Sequence, residues 1–375
     1  MAKTILQLSN DFPDQKIYVN LVNRLSNFGY NQIVYVPVKW EDKIDGNRDE
    51  SIKNVEYHYS YILKRSLLFR LQYHKKINII LQDLESKVDL REVDLIHGHF
   101  LFSDGGVAYK IKKKYNIPYV VSVRASDIFT FFKWMFHLRK FGNKIMNEAE
   151  RVIFINPSYV EIFKEKYLSK FHSDILNKIS VVPNAIDDKW FSNLVVQKRI
   201  VEPIRLLYVG RIVKRKKLDV VINALKELNK KSKKKYVLEV VGDGNFIHTV
   251  KKMADNNVIF HGHIYNFSKL LEIYKRSQIF VMPSIKETFG LVYVEALSQG
   301  LPIVFCKGEG VDGFFKENEV GVSVRNDSVN DVIRAVDYIE KEYEQLTQNT
   351  LQQSEKFNWD ECTKSFIEIY ERSFY

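Results

Sequence analysis

The run from Phe280 to Phe305, FVMPSIKETFGLVYVEALSQGLPIVF, constrains the fold more than any other part of the chain. It reads as an apolar strand, a turn, a helix and a second apolar strand, a unit that belongs to parallel sheets covered by helices. Glu287 sits in the turn and Glu295 in the helix. A strand feeding SIKETFGL aims a carboxylate and several backbone N–H groups at one point, which suits a ligand with hydroxyls at one end and phosphate at the other. Two glutamates at this separation would by themselves describe a solvated helix face. The strand–Pro–Ser–x–x–Glu–x–Phe–Gly–Leu setting makes them specific.

The same alternation runs through nearly all 375 residues, too long a chain for one typical core. In the first half the apolar runs Thr4–Leu8, Gln32–Val38, Leu95–His99, Tyr119–Val123, Val152–Ile155 and Ile179–Val182 read as strands. Between the first two, Ile17, Leu21, Val22, Leu25 and Phe28 recur at helical spacing, and Gly29 ends the helix. Val195–Pro203 is polar, charged and ends in proline, as a linker would. A second series follows: RLLYVG, YVLEVVG, NVIFHG, QIFVMP and PIVFC. The pattern predicts an α/β fold with an N-terminal domain over 1–195, a C-terminal domain over 196–356, and a closing helix over 357–375 that packs back on the first domain.

Two cysteines, Cys306 and Cys362, match no metal or disulfide motif and fit a reducing compartment. The start MAKTILQLSNDFP has too short an apolar run for a leader, and no stretch approaches the roughly 18 apolar residues of a membrane span, so a cytoplasmic location is expected. The net charge of +11 suits an anionic membrane, a phosphorylated substrate or nucleic acid, without choosing among them.

Gly210 and Arg211 close the strand RLLYVG, and Lys216 follows before the next helix. Ligands of open α/β sheets bind at strand C-termini, so two cations there could hold a diphosphate and stabilise it as a leaving group. The other reading of VKRKK is a solvated basic turn. His97 with His99, and His261 with His263, form His-x-His pairs at strand ends, a metal-compatible spacing without an accompanying Cys or carboxylate. No Asp-x-Asp occurs. Within 128–145, Lys133, His137, Lys140 and Lys144 make a basic stripe, and Phe131, Trp134, Leu138, Phe141 and Ile145 line another face. This fits an interfacial segment on an anionic membrane, and equally a helix covering the N-terminal sheet. Tyr57–Lys76 is similarly aromatic and basic.

VGRIVKRKK, VVGDGN, VPNAID and MPSIKETFGLVYVEALSQGLPIV together resemble the retaining nucleotide-sugar glycosyltransferases of family four. The resemblance is close over the second half and loose over the first. It implies the GT-B fold, two Rossmann-like domains facing across a cleft. It implies that Arg211 and Lys216 bind the donor diphosphate, that Glu287 contacts the donor sugar, and that Glu295 holds the ribose hydroxyls. Gly210 and the backbone at Phe289, Gly290 and Leu291 would meet phosphate or sugar oxygens. Gly242 and Gly244 match a turn near the nucleotide, or are simply a tight turn. Asn184 reads as structural.

The first half departs from the family twice. The loop SNDFPDQKIYV lacks the usual glycine pair, and Arg124 in SVRASD stands where a histidine is common. Arginine cannot serve as a base at neutral pH but can bind an anionic group. Asp127 then becomes the candidate for receiving a hydroxyl proton, or else an N-cap. His99 is a further acceptor-side candidate. The expected function is retaining transfer of a hexose from a nucleoside-diphosphate sugar to a glycan or lipid-linked saccharide in surface polysaccharide biosynthesis. No metal cofactor and no nucleic-acid partner is expected, and 128–145 would touch the inner face of the cell membrane. The alternatives are a sugar-nucleotide epimerase of the same fold, a non-catalytic basic binder, and an inactive transferase relative.

Overall fold

The computed structural model describes residues 2–63, 72–168, 170–194 and 198–374. Val195, read as the domain boundary, and part of Tyr57–Lys76 lie outside them. The chain divides into two compact units. One comprises Met1–Ile155, Tyr159–Pro183 and Trp359–Tyr375, and the other Asn156–Ser158 and Asn184–Asn358.

The first unit carries β1 (Thr4–Leu8), β2 (Asn31–Val38), β3 (Val55–Tyr61), β4 (Leu95–Gly98), β5 (Tyr119–Val123), β6 (Arg151–Phe154) and β7 (Ile179–Val181). They form one parallel sheet in the order β3-β2-β1-β4-β5-β6-β7. The second carries β8 (Ile204–Val209), β9 (Tyr236–Val241), β10 (Val258–Gly262), β11 (Ile279–Met282), β12 (Ile303–Cys306) and β13 (Gly321–Val324). These are parallel in the order β10-β9-β8-β11-β12-β13. Central strands such as β5 (YVVSV) and β11 (IFVM) are buried throughout because helices cover both faces, so they read as unbroken apolar runs. The helix Lys16–Asn27 shows the complementary pattern, burying Tyr18, Leu21, Val22 and Leu25 on one side. In each sheet the strand order reverses beside the first strand, between β1 and β4 and between β8 and β11. That crevice is where open α/β sheets take ligands.

Two strands escaped the sequence reading. The edge strand β3, VEYHYSY, alternates polar and aromatic residues with only two fully buried positions, so it lacks the apolar run of a central strand. β13 is four residues long, also at an edge, and starts at a glycine. Apart from the brief excursion of Asn156–Ser158, the chain passes to the second unit between Pro183 and Asn184, ahead of Val195. The residues in between already belong to the second core, where Trp190 packs edge-on against Phe267 and Tyr274. The helix Trp359–Glu371 belongs to the first unit. Asp360 pairs with Arg24 at 2.8 Å, and the Tyr370 hydroxyl lies 2.7 Å from His97 Nδ1.

Residues 128–145 are not one amphipathic helix. A π-helical turn over Asp127–Phe132 gives way to a 3-10 turn over Phe136–Leu138 and then to the helix Arg139–Glu148. Leu138 and Ile145 are core residues and Phe131 and Phe141 pack against the core, as the sheet-covering reading expects. Trp134 instead projects into solvent.

Candidate active site

The second unit brings most of the expected donor-site residues to the C-terminal ends of β8 and β11. A cavity of about 430 Å³ is lined by Gly210, Arg211, Gly242, His263, Val292 and Glu295, among others. Its size suits a small ligand. Arg211 leaves β8 through Gly210, its side chain is exposed, and its guanidinium has no hydrogen-bond partner among the described residues. Gly242 and Gly244 have a packing role. A Cβ on Gly242 would lie 2.0 Å from the Gly210 carbonyl oxygen, and one on Gly244 would lie 2.3 Å from that of Ile212. Gly242 also has φ +134°. The two glycines let the loop after β9 press against the loop after β8, which shapes the cavity wall.

Glu295 enters the cavity from the helix Leu291–Ser298 and accepts a 3.0 Å hydrogen bond from the Tyr274 hydroxyl. Burial pushes its carboxyl up to about 7, against the pull of Tyr274 and Lys189. The helix begins at Gly290, with φ +79° and no side-chain cap. Among the described residues nothing accepts the N–H groups of Phe289, Gly290 and Leu291, the orphan donors of a helix start. The Phe289 side chain is buried against Phe314 and Phe357, so only its backbone can face a ligand, whereas Leu291 is exposed.

Lys216 and Glu287 form an ion pair, each residue 8% exposed. From sequence, Lys216 fits either a ligand cation or a solvated turn. Burial separates it from Lys214 and Arg215, which stay exposed on the same 3-10 turn. Glu287 also accepts from Ser284 Oγ at 3.1 Å. Its backbone is held on both sides. Its N–H donates to Glu309 Oε2 at 3.0 Å, and its carbonyl accepts from Gly310 at 2.9 Å. The Arg215 carbonyl accepts from the Ile285 N–H at 2.9 Å, and Lys286 takes φ +53° to complete the turn. The Tyr208 hydroxyl, buried on β8, has no partner among the described residues. Glu309 was missed in the sequence. Its signal was available, because KGEG follows the apolar strand β12 as Gly-Arg follows β8. Tyr208 and Tyr274 had no such marker.

In the first unit, Asp127 is 1% exposed and accepts from the backbone N–H groups of Leu101 (3.2 Å), Phe102 (3.1 Å) and Arg124 (2.9 Å). Burial still raises its carboxyl to about 6. With both oxygens engaged it braces the loops after β4 and β5, so the proton-accepting expectation gives way to a structural one. It does not act as an N-cap, since it lies within its turn and Ser126 precedes it. Arg124 is half-buried, donates to the His99 carbonyl at 3.3 Å and lies 5.7 Å from the Tyr18 ring centre. His99 is 2% exposed, bonded to Gln7 at 2.9 Å and packed edge-on against Tyr18.

His97, His99 and His261 take polar partners from the protein itself. His97 joins Tyr370 and Ser122, and burial holds it down to about 3. His261 pairs with Glu239, while the His263 ring lies tilted against the Tyr265 ring at 4.2 Å. Among the described residues no group of three or more His, Cys, Asp or Glu is placed to hold a metal ion, and no helix is long and apolar enough to cross a membrane.

Residues 16–190 match the model of the Glycosyltransferase Family 4 domain, and residues 193–356 that of Glycosyl transferases group 1. An uncharacterized glycosyltransferase of Methanocaldococcus jannaschii is 22% identical over 94% of this chain and 92% of its own. A putative teichuronic acid biosynthesis glycosyltransferase of Bacillus subtilis is 27% identical over 60% of this chain and 56% of its own. Among solved structures, sucrose-phosphate synthase from Thermosynechococcus elongatus superposes with a TM-score of 0.76 at 18% identity, covering 99% of this chain and 98% of the other. Anabaena HepE, solved in complex with UDP, gives 0.71 at 14% identity, covering 99% and 100%. The two sheets, the family matches and the shared fold lead to one assignment: the chain is a glycosyltransferase of the GT-B type, a family 4 glycosyltransferase domain followed by a group 1 domain.

Proposed function

We propose that this glycosyltransferase moves a sugar from a nucleoside-diphosphate donor to a hydroxyl of a glycan or lipid-linked saccharide, with retention at the anomeric carbon, in polysaccharide or glycolipid synthesis. The observation that carries the donor assignment is the convergence at β8 and β11 of one exposed arginine, a buried Lys–Glu pair, a second carboxylate and an uncapped helix start. Glu295 accepts hydrogen bonds from the ribose hydroxyls, and Arg211 and Lys216 face the diphosphate. The backbone N–H groups at 289–291 meet its remaining oxygens. On donor binding the Lys216 ammonium passes from Glu287 to phosphate, which frees Glu287 to orient the sugar.

In the transfer step the bond from C1 to the phosphate oxygen breaks and the bond from C1 to the acceptor oxygen forms on the same face. The acceptor proton goes to the departing phosphate, so no dedicated protein base is required. Arg211 and Lys216 stabilise the charge that grows on the leaving group, the task a metal ion performs elsewhere. Arg124 and His99 remain acceptor-side candidates. The UDP complex of Anabaena HepE supports a nucleotide ligand for this fold, and the teichuronic acid relative supports a glycan product.

The test is a thermal-shift screen of the full chain with UDP-, GDP- and ADP-sugars in EDTA. A donor at about 100 times its Kd stabilises by about 2.7 kcal/mol, or roughly 5–10 °C for a domain of this size. Arg211→Ala and Glu287→Ala should abolish transfer and leave the chain folded, and NMR of the product should show the donor's anomeric configuration. No stabilisation by any nucleotide sugar, a metal requirement, or an inverted product would each overturn the corresponding part.

A further inference from the structure

Residues 133–144 carry a surface that neither the fold nor the donor site uses. Where the π-helical turn breaks off, Trp134 and Phe136 stand 70% and 72% exposed, two positions apart. Lys133, His137, Lys140 and Lys144 around them are all exposed, and the chain holds no Asp or Glu between Asp127 and Glu148. The Lys133 ammonium lies 5.2 Å from the Trp134 ring centre. The projection is firmly held from beneath. Arg139 Nε donates to the Phe132 carbonyl at 2.6 Å, Leu138 is buried, and Phe102 stacks on Phe131 at 4.6 Å. The neighbouring helix Tyr73–Glu85 adds His74, whose ring packs edge-on against Phe141 at 4.9 Å, and exposed Lys75.

We propose that this projection docks on the surface of an anionic lipid bilayer, with Trp134 and Phe136 inserted at headgroup depth and the lysines ringing them against lipid phosphates. A bilayer interface is a partner that takes an indole and a phenyl ring side by side within charge of a single sign. Lysine stems snorkel, so each ammonium reaches the phosphates while its methylenes cover the rings. Rigid support means that little ordering entropy is lost on insertion. Each of Lys133, Lys140 and Lys144 should strengthen binding to an anionic surface about fivefold, together roughly a hundredfold over a neutral one. These residues belong to the first unit, so the proposal succeeds or fails apart from nucleotide-sugar binding.

The experiment is co-sedimentation of the full chain with phosphatidylcholine vesicles and with vesicles containing 30% phosphatidylglycerol. Trp134→Ala/Phe136→Ala and Lys133→Glu/Lys140→Glu are compared with the parent chain, with melting curves to confirm folding. The expected result is strong binding to the anionic vesicles only, weakened tenfold or more in both double variants, and a blue-shifted emission on binding that is lost with Trp134. Equal binding to both vesicle types, no binding, or undiminished binding of the aromatic variant overturns the proposal. So does a mass in light scattering that falls from dimer to monomer in Trp134→Ala/Phe136→Ala, because a second copy would then cover the patch. Salt-sensitive binding to RNA that ignores the aromatics, without vesicle binding, overturns it in favour of a nucleic acid.

Discussion

Removing one half of the Lys216–Glu287 pair tests how the site is held before any donor arrives. Lys216→Met leaves the Glu287 carboxylate in a pocket where its side chain is 11% exposed. Truncating one partner of a buried pair costs about 3–5 kcal/mol, because the other charge stays desolvated and unpaired. Here some exposure remains and the Ser284 hydroxyl still donates at 3.1 Å, which brings the expected loss to about 2–3 kcal/mol. For a domain of this size that is a fall in Tm of about 4–12 °C. Glu287→Gln should cost less, since the amide oxygen can still accept from the buried Lys216 ammonium. The double variant should recover part of the loss, with a coupling energy of about 1–2 kcal/mol in the full cycle. Differential scanning fluorimetry of the full chain measures the cycle, and repeating it with UDP separates stability from binding. UDP should stabilise the parent chain more than Lys216→Met. A cycle with no coupling would refute the argument, because the pair would then contribute nothing in solution.

The Glu295 carboxyl, raised to about 7, should make nucleotide binding pH-dependent. Ribose hydroxyls donate to the ionised form, so UDP affinity by calorimetry should rise from pH 6 to pH 8, at most tenfold per unit below about 7, and flatten in Glu295→Gln. The sign for folding is opposite: a carboxyl raised in the folded state loses stability as pH climbs from its unfolded value toward 7. Asp127→Ala strips the acceptor from three backbone N–H groups and should lower stability by about 3 kcal/mol or more, with Asp127→Asn losing less. A fully stable Asp127→Ala with no turnover would restore a catalytic role. Gly242→Ala places a methyl 2.0 Å from a carbonyl oxygen and should cost on the order of 3 kcal/mol and weaken UDP binding. Gly308→Ala, at φ +77° with open space, should cost only about 1 kcal/mol by thermal melt.

How much of this was legible depends on how local the cause is. Central strands bury both faces, so β1, β5, β8 and β11 announce themselves as apolar runs whatever surrounds them. β3 and β13 lie at sheet edges, where one side meets solvent and the run dissolves. The polar segment 195–203 drew attention as a linker, but Trp190 had already joined the second core, and nothing in NAIDDKW says which core a tryptophan will enter. Within the candidate site, Gly210, Arg211 and Glu287 stand out in sequence because strand ends border the ligand crevice of open α/β sheets, and Glu295 because it lies on the helix that follows β11. Glu309 followed the same rule and was passed over.

Sequence alone determined the alternation of strand and helix, the doubled sheet and the position of the candidate donor residues at or just after strand ends, since these follow from periodicity and from turn chemistry within a few residues. Tertiary structure decided what each side chain faces. It buried Lys216 against Glu287 while leaving its neighbours in water, and it filled the oxygens of Asp127 with backbone donors from two loops. It also turned Trp134 and Phe136 outward from a stretch whose Phe131, Phe132 and Phe141 pack in or against the core. Those outcomes depend on residues far apart in the chain meeting in one dielectric environment, and no local pattern encodes that meeting.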